Sequence, residues 1–401
     1  MEGTTVSVTD WATHFDHFSP EYAADPVPIW SELRERCPVA RGERLRNMWV
    51  PTRYDDIVAI AHDTDRFSSR SPLITEFINL SETGIIAPPI SSDPPYHTEI
   101  RRMLLPFFGP KVVEALRPRV EALCDELIDA FIDADGADAA VDYAQHIPVR
   151  IIAEMLGVPP EEGDRFRNWV HMLLEVAPND LDAGFLSIID FFEYFRAAML
   201  ERRDEPRDDI VSFLANGTLG ADNRALDDSE VLGVCLLLLL AGIDTTWSAI
   251  GSSLLHLARN PADAQRLRDE PELWPLAIEE FLRAYSPVSM AREVAVDTEF
   301  EGCPMKAGEP LLLPFPAANR DPEAFENPDD VIIDRAVNRH VAFGVGIHRC
   351  LGSNLARLEL QVAVQRFVDR VPPFTVADES AVTWSVGQVR GPRAIPVAFA
   401  R

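Results

Sequence analysis

The sequence predicts a mainly α-helical protein with a minor β region. Three observations carry that expectation. Between residues 93 and 260, apolar positions recur at steps of three and four, the period of a helix with one buried face. One segment there, 228–260, runs far longer than an ordinary helix. Strand-like pieces are short and lie towards the chain's two ends, at 47–52, 293–298, 310–314 and 395–399.

The first seventy residues mix both signals. Residues 28–36 read as a short amphipathic helix with Pro28 in its first turn. Residues 54–61 read as another, with Asp55 near its start. The stretch 71–92 is rich in Ile, Leu, Pro and Ser and has no helical period. Connections of that length are uncommon unless functional, and its apolar residues suggest that it covers something apolar. Helical patterns follow at 112–135, 149–156, 162–176 and 185–203. The long segment has Asp227 and Asp228 in its N-cap region and Asn260-Pro261 at its end. At 1.5 Å per residue it spans roughly 50 Å, enough to cross a whole domain. The 32 prolines concentrate in connections.

Composition narrows the class. An apolar fraction of 47% and a charged fraction of 25% are ordinary for a globular protein. No run of about 18 apolar residues is evident. The longest, 231–243, reads as a buried helix, so no membrane span is expected. The N-terminus lacks a basic region followed by an apolar one, and no signal peptide is expected. The five cysteines, Cys37, Cys124, Cys235, Cys303 and Cys350, are scattered and odd in number, which favours a reducing compartment over a disulfide framework. A net charge of −28 disfavours nucleic acid as a partner.

The most informative stretch is Phe-Gly-Val-Gly-Ile-His-Arg-Cys-Leu-Gly at 343–352. It sets Cys350 after a glycine-rich loop and before a helical pattern at 354–360. Free N–H groups at a helix N-terminus stabilise a thiolate there. The glycines place no side chain in the way of a flat ligand. Such a cysteine can be the lone protein ligand of a haem iron.

This run resembles the cysteine-ligand loop of the cytochrome P-450 family at every fixed position. Further motifs follow the family's order. Ala241-Gly242-Ile243-Asp244-Thr245-Thr246 resembles its oxygen-activation segment, and Glu280-Phe281-Leu282-Arg283 its Glu-x-x-Arg pair, with Arg335 as the third charged partner. The chain departs from many relatives at Val331-Ile332-Ile333, where a Phe-Asp is expected, which bears on the packing around Arg335. The resemblance covers about residue 20 to Arg401. It implies the family's mainly α fold, with the long central helix crossing the haem. It also implies one haem domain over 1–401, with a mixed part at about 1–70, a helical body at about 93–285 and a strand-rich cysteine-loop part at about 286–401.

The implied cofactor is haem b (iron protoporphyrin IX), with Cys350 on the iron. Phe343, Gly344 and Ala241 are expected beside the ring. Haem propionates need cations. His97 and Arg101, four apart on one helix face, resemble the family's propionate pair; Arg292 resembles its propionate arginine, and His348 lies two residues from the ligand. Helical spacing puts Leu237, Ala241, Thr245 and Ser248 on one stripe. Thr245 is expected to back-bond to a carbonyl one turn earlier and to serve bound oxygen, with Asp244 relaying protons. Leu237, Leu240, Ala241, Val288, Ser289, Ile85, Ile86, Val386 and Gln388 are the expected pocket lining, suited to a small or medium hydrophobic molecule.

Function follows as expectation: a monooxygenase that hydroxylates or dealkylates such a molecule with dioxygen. The chain has no dinucleotide fingerprint and no iron–sulfur cysteine cluster. Electrons are therefore expected from a ferredoxin-type partner with an NAD(P)H-dependent reductase. Arg102, Lys111, Arg339, Arg349 and Arg357 offer a local basic face for it. A cytoplasmic monomer is expected. The alternatives are a peroxide-driven peroxygenase and a non-catalytic haem sensor; the Asp244-Thr245 pair argues against both.

Overall fold

A computed structural model describes residues 8–43, 45–74, 84–177, 180–385 and 387–400. Its centre is the helix Asp228–Arg259. Asp227 accepts from the backbone N–H of Glu230, and Glu230 accepts from that of Asp227, closing a capping box. Glu230 also binds Arg224 through both oxygens and accepts from the Tyr96 hydroxyl, at the start of the helix Tyr96–Leu104. The ends of two site-bearing helices are thus fastened together.

An 18-residue window of the long helix has a mean hydropathy of 1.8, so by length and composition it could cross a membrane. Its uninterrupted apolar run is shorter, 231–243, and ends before Asp244. The helix lies inside the protein, with 67% of the window buried. It packs against His146–Leu156 on one side and Ser353–Arg370, the helix after Cys350, on another.

A five-stranded sheet stands beside the helices in the order Val39–Gly42, Met48–Pro51, Pro310–Pro314, Ser289–Val294, Phe67–Ser68. Neighbours are antiparallel except Met48–Pro51 and Pro310–Pro314, which run parallel with Leu311 opposite Trp49. Alternation sends Met48, Val50 and Leu312 into one apolar cluster and Trp49, Leu311 and Leu313 into another, on the opposite face.

Three boundaries differ from expectation. The strand expected at 293–298 is Ser289–Val294, because it pairs residue for residue with Pro310–Pro314 before the chain turns into a separate hairpin. The helix expected at 112–135 is two, Pro110–Glu114 and Arg117–Asp129, since Pro118 opens a new first turn. The helix Gly163–His171 runs on into a π-helical turn, Met172–Val176. The helical body also contains the strand Gly136–Asp138, which pairs with Pro396–Phe399.

Candidate functional site

The cysteine loop is shaped by its glycines. Gly344 and Gly346 have φ of +65° and +70°, left-handed values that side chains disfavour. A Cβ on Gly346 would also stand 2.8 Å from the Ala61 carbonyl oxygen. The Cys350 N–H donates to the Phe343 carbonyl at 2.7 Å, closing the loop. Burial pushes the Cys350 thiol up, while the Gly352 backbone N–H and the charges of Arg101, Arg349 and Arg357 pull it down.

Cys350 faces a cavity together with Phe343, Gly344, His348, Arg101 and Arg292. From the long helix, Leu237, Ala241 and Thr245 line it. Ser248 leaves the expected stripe. It accepts from Arg393 Nη1 at 3.1 Å and packs against Gly391, and Ala249 takes its place in the lining. Thr245 Oγ1 donates to the Ala241 carbonyl at 2.7 Å, one turn back.

Arg101, Arg292, His97 and His348 converge at one edge of this cavity. His97 and His348 stand with ring centres 4.2 Å apart. Arg292 is 4% exposed, yet its hydrogen bond among the described residues goes to the Ala291 carbonyl at 2.7 Å. Neither arginine has a carboxylate within ion-pair distance among the described residues. Both ring nitrogens of His97 and Nε2 of His348 are buried without partners. Burial pushes Arg292 down to about 10. It takes His348 down to about 2, with help from Arg292 and His97. Buried cations without counter-ions are costly, so the cluster is built for an anion.

Asp244 is 1% exposed, behind the cavity wall. Arg393 Nη2 lies 2.6 Å from its Oδ1 and 2.9 Å from Glu175 Oε1. One guanidinium thus serves two carboxylates. Burial raises Asp244 to about 6, against the pull of Arg393. His171 stands 3.6 Å from Glu175. Arg393 and Glu175 carried no signal in the sequence.

Glu280 and Arg283 are fully buried and joined by two 2.8 Å bonds. Glu280 also accepts from Arg335 at 3.0 Å, from the Ile332 N–H at 2.8 Å and from Asn338 at 3.1 Å. The unusual Val331-Ile332-Ile333 leaves this arrangement intact, with Ile333 buried in the core.

Other lining residues fall differently. Val288 faces the cavity; Ser289 is buried in its strand, and Leu240 is absent from the lining. Ile85 and Ile86 line a separate groove with Ile189 and Phe192. The cause is a close approach, since a Cβ on Gly233 would stand 2.4 Å from the Ile86 carbonyl oxygen. Pro89 and Ile90 reach the cavity instead. Gln388 is occupied elsewhere: it accepts from the Ile74 N–H and donates to the Pro72 and Ser289 carbonyls. Val386 lies outside the described residues. Leu104, Phe108, Met290, Phe315 and the buried Glu359 line the cavity with no signal to mark them beforehand.

A cysteine aimed into an apolar cavity, with unpaired cations along one edge and a threonine-bearing helix across it, defines a haem-thiolate protein. The cytochrome P450 family model matches residues 177–377. The mycinamicin IV hydroxylase/epoxidase of Micromonospora griseorubida is 34% identical over 383 residues, covering 92% of this chain and 94% of that protein. The polyketide biosynthesis cytochrome P450 PksS of Bacillus subtilis is 30% identical over 404 residues, covering 96% and 99%. Its solved structure superposes with a TM-score of 0.87. A myxobacterial cytochrome P450, CYP267B1, solved in complex with myristic acid, gives 0.88 at 35% identity, covering 96% of this chain and 98% of that one. The chain belongs to the cytochrome P450 family. It is therefore an oxidoreductase of the monooxygenase type that binds haem b and works with a redox partner.

Proposed function

We propose that this monooxygenase hydroxylates, or O- or N-dealkylates, a small to medium hydrophobic organic molecule. We further propose that its two electrons come from a ferredoxin-type protein served by an NAD(P)H-dependent reductase. The carrying observation is the pairing of a cysteine free of any disulfide with an uncompensated cationic edge on one cavity. Cys350 supplies the iron ligand. Arg101, Arg292, His97 and His348 hold two propionates, the anions their cluster lacks. Haem bound through a thiolate supplies oxygen activation, with one atom going to substrate and one to water.

The remaining chemistry belongs to side chains. The Thr245 hydroxyl donates its hydrogen bond to the Ala241 carbonyl and keeps lone pairs free to accept. Asp244 holds a proton at its carboxyl below about pH 6 and exchanges it on the side of Arg393, Glu175 and His171. Leu237, Ala241, Val288, Pro89, Ile90 and Met290 give an apolar wall that excludes water and seats a hydrophobic substrate.

Around Cys350 the outer surface is basic and apolar together. Arg102, Lys111, Arg339 and Arg349 are exposed, beside Leu105, Val112 and Ile347. Arg357 is engaged with Glu279 and is a weaker candidate for docking. An acidic redox protein fits this face. One haem domain over 1–401, acting as a cytoplasmic monomer, completes the reading.

The test is spectroscopic and catalytic. The reduced, carbon-monoxide-treated protein should show the red-shifted Soret band of thiolate ligation, and Cys350→Ala should abolish it. Product should form with NAD(P)H, reductase and ferredoxin. Equal product from peroxide alone would overturn the monooxygenase route.

A further inference from the structure

Glu279 and Glu280 are neighbours on the helix Trp274–Ala284, and they hold different things. Glu280 braces the segment upstream of the cysteine loop, through Ile332, Arg335 and Asn338. Glu279 reaches both sides of the cysteine itself. It accepts from Arg357 Nε at 2.5 Å and Nη2 at 2.8 Å, and from His340 Nε2 at 2.9 Å. The Ala342 N–H donates to His340 Nδ1 at 3.2 Å, so the ring proton sits on Nε2 and faces Glu279. His340 precedes the loop and Arg357 follows it. The Arg357 guanidinium also stands 4.4 Å from the centre of the Phe343 ring. Phe343 lines the cavity, and its carbonyl receives the Cys350 N–H.

We propose that Glu279 is a positioning residue for the cysteine ligand and sets the electric field on its sulfur by neutralising Arg357. Three guanidinium groups bear on Cys350, those of Arg101, Arg349 and Arg357. Among the described residues, Arg357 alone of the three has a carboxylate partner. Glu279 therefore decides how much of that positive charge reaches the sulfur. Burial opposes its own charge, but Arg357 and His340 outweigh burial and hold its carboxyl down to about 2. The partner is thus ionised at every working pH. Charge and hydrogen bonding around a ligating sulfur tune the potential of its metal. The inference rests on the thiolate reading of Cys350.

Redox titration of the holoenzyme tests it. Glu279→Gln keeps the shape and removes the negative charge, so the potential should move positive. At a fixed poise the ratio of reduced to oxidised protein should rise by about tenfold, the effect of one charge roughly 10 Å away at an effective dielectric of about 20. Arg357→Gln should move the potential the opposite way. The double variant should return close to the parent, and Glu279→Asp should hardly move it. A purely structural role predicts the same direction for both single variants, with loss of the thiolate band in each. That outcome, or an unmoved potential in Glu279→Gln with its band intact, overturns the proposal. If Glu279→Gln fails to retain haem, Glu279→Asp and Arg357→Gln still decide it, since only the second should shift. A parent protein without the thiolate band would instead defeat the reading of Cys350.

Discussion

Two buried clusters of charge flank Cys350, and they are built on opposite plans. Around Glu280 the charges are paired. Both its oxygens are used, and Arg283 spends its remaining N–H groups on the carbonyls of Asn319, Pro328 and Asp330. Around Arg292 almost nothing is paired, and two histidines stand beside it with empty nitrogens. A fully satisfied cluster is a brace, because breaking it leaves a buried charge alone. An unsatisfied one is a receptor, because only a partner from outside can complete it. Asp244 falls between the two, sharing Arg393 with Glu175.

That contrast can be attacked from its strongest side first. Glu280→Gln should lower stability by about 3–5 kcal/mol, whether or not haem is bound, as a shift in denaturation midpoint. A drop seen only with haem bound would make this cluster a receptor too. Asp244→Asn should slow turnover by about 100-fold, the usual worth of a positioned proton donor. The sign of its pH dependence follows from burial. With the carboxyl raised to about 6, the proton-bearing form is full below that value and falls away above it. The parent's rate should therefore decline as pH climbs through about 6, and Asp244→Asn should flatten that limb.

Arg292→Gln should weaken haem retention by about 1.5–3 kcal/mol, the range for a hydrogen bond to a charged group, read as faster haem transfer to an acceptor protein. The fold should not suffer, since the variant removes an uncompensated buried cation. Equal loss of fold and haem would erase the distinction drawn above. The smallest effect belongs to the surface. Arg102→Gln with Lys111→Gln should slow reduction by an acidic ferredoxin a few-fold, more at low salt than at high.

Much of the cavity lining was legible in the sequence because it is local. Cys350, His348, Gly344 and Phe343 lie within eight residues, and one loop geometry brings them together. Leu237, Ala241 and Thr245 share a helix face by spacing alone, although Ser248 shows how a three-residue step drifts off that face where a four-residue step to Ala249 stays on it. What could not be read was contact between distant segments. Arg393 meets Asp244 only because the C-terminal strand packs on the long helix, and no periodicity encodes that. Ile85 and Ile86 are displaced by a single close approach at Gly233. The strand at Ser289–Val294 is fixed by its partner Pro310–Pro314, which its own residues do not reveal.

Arg393 stands in the short strand Pro392–Ala394, far along the chain from the acid it serves. A disturbance confined to that strand would leave the molecule able to fold and take up its pigment, yet it would misbehave, because the counter-ion of a central acid would be misplaced. A three-residue strand is wired into the engine.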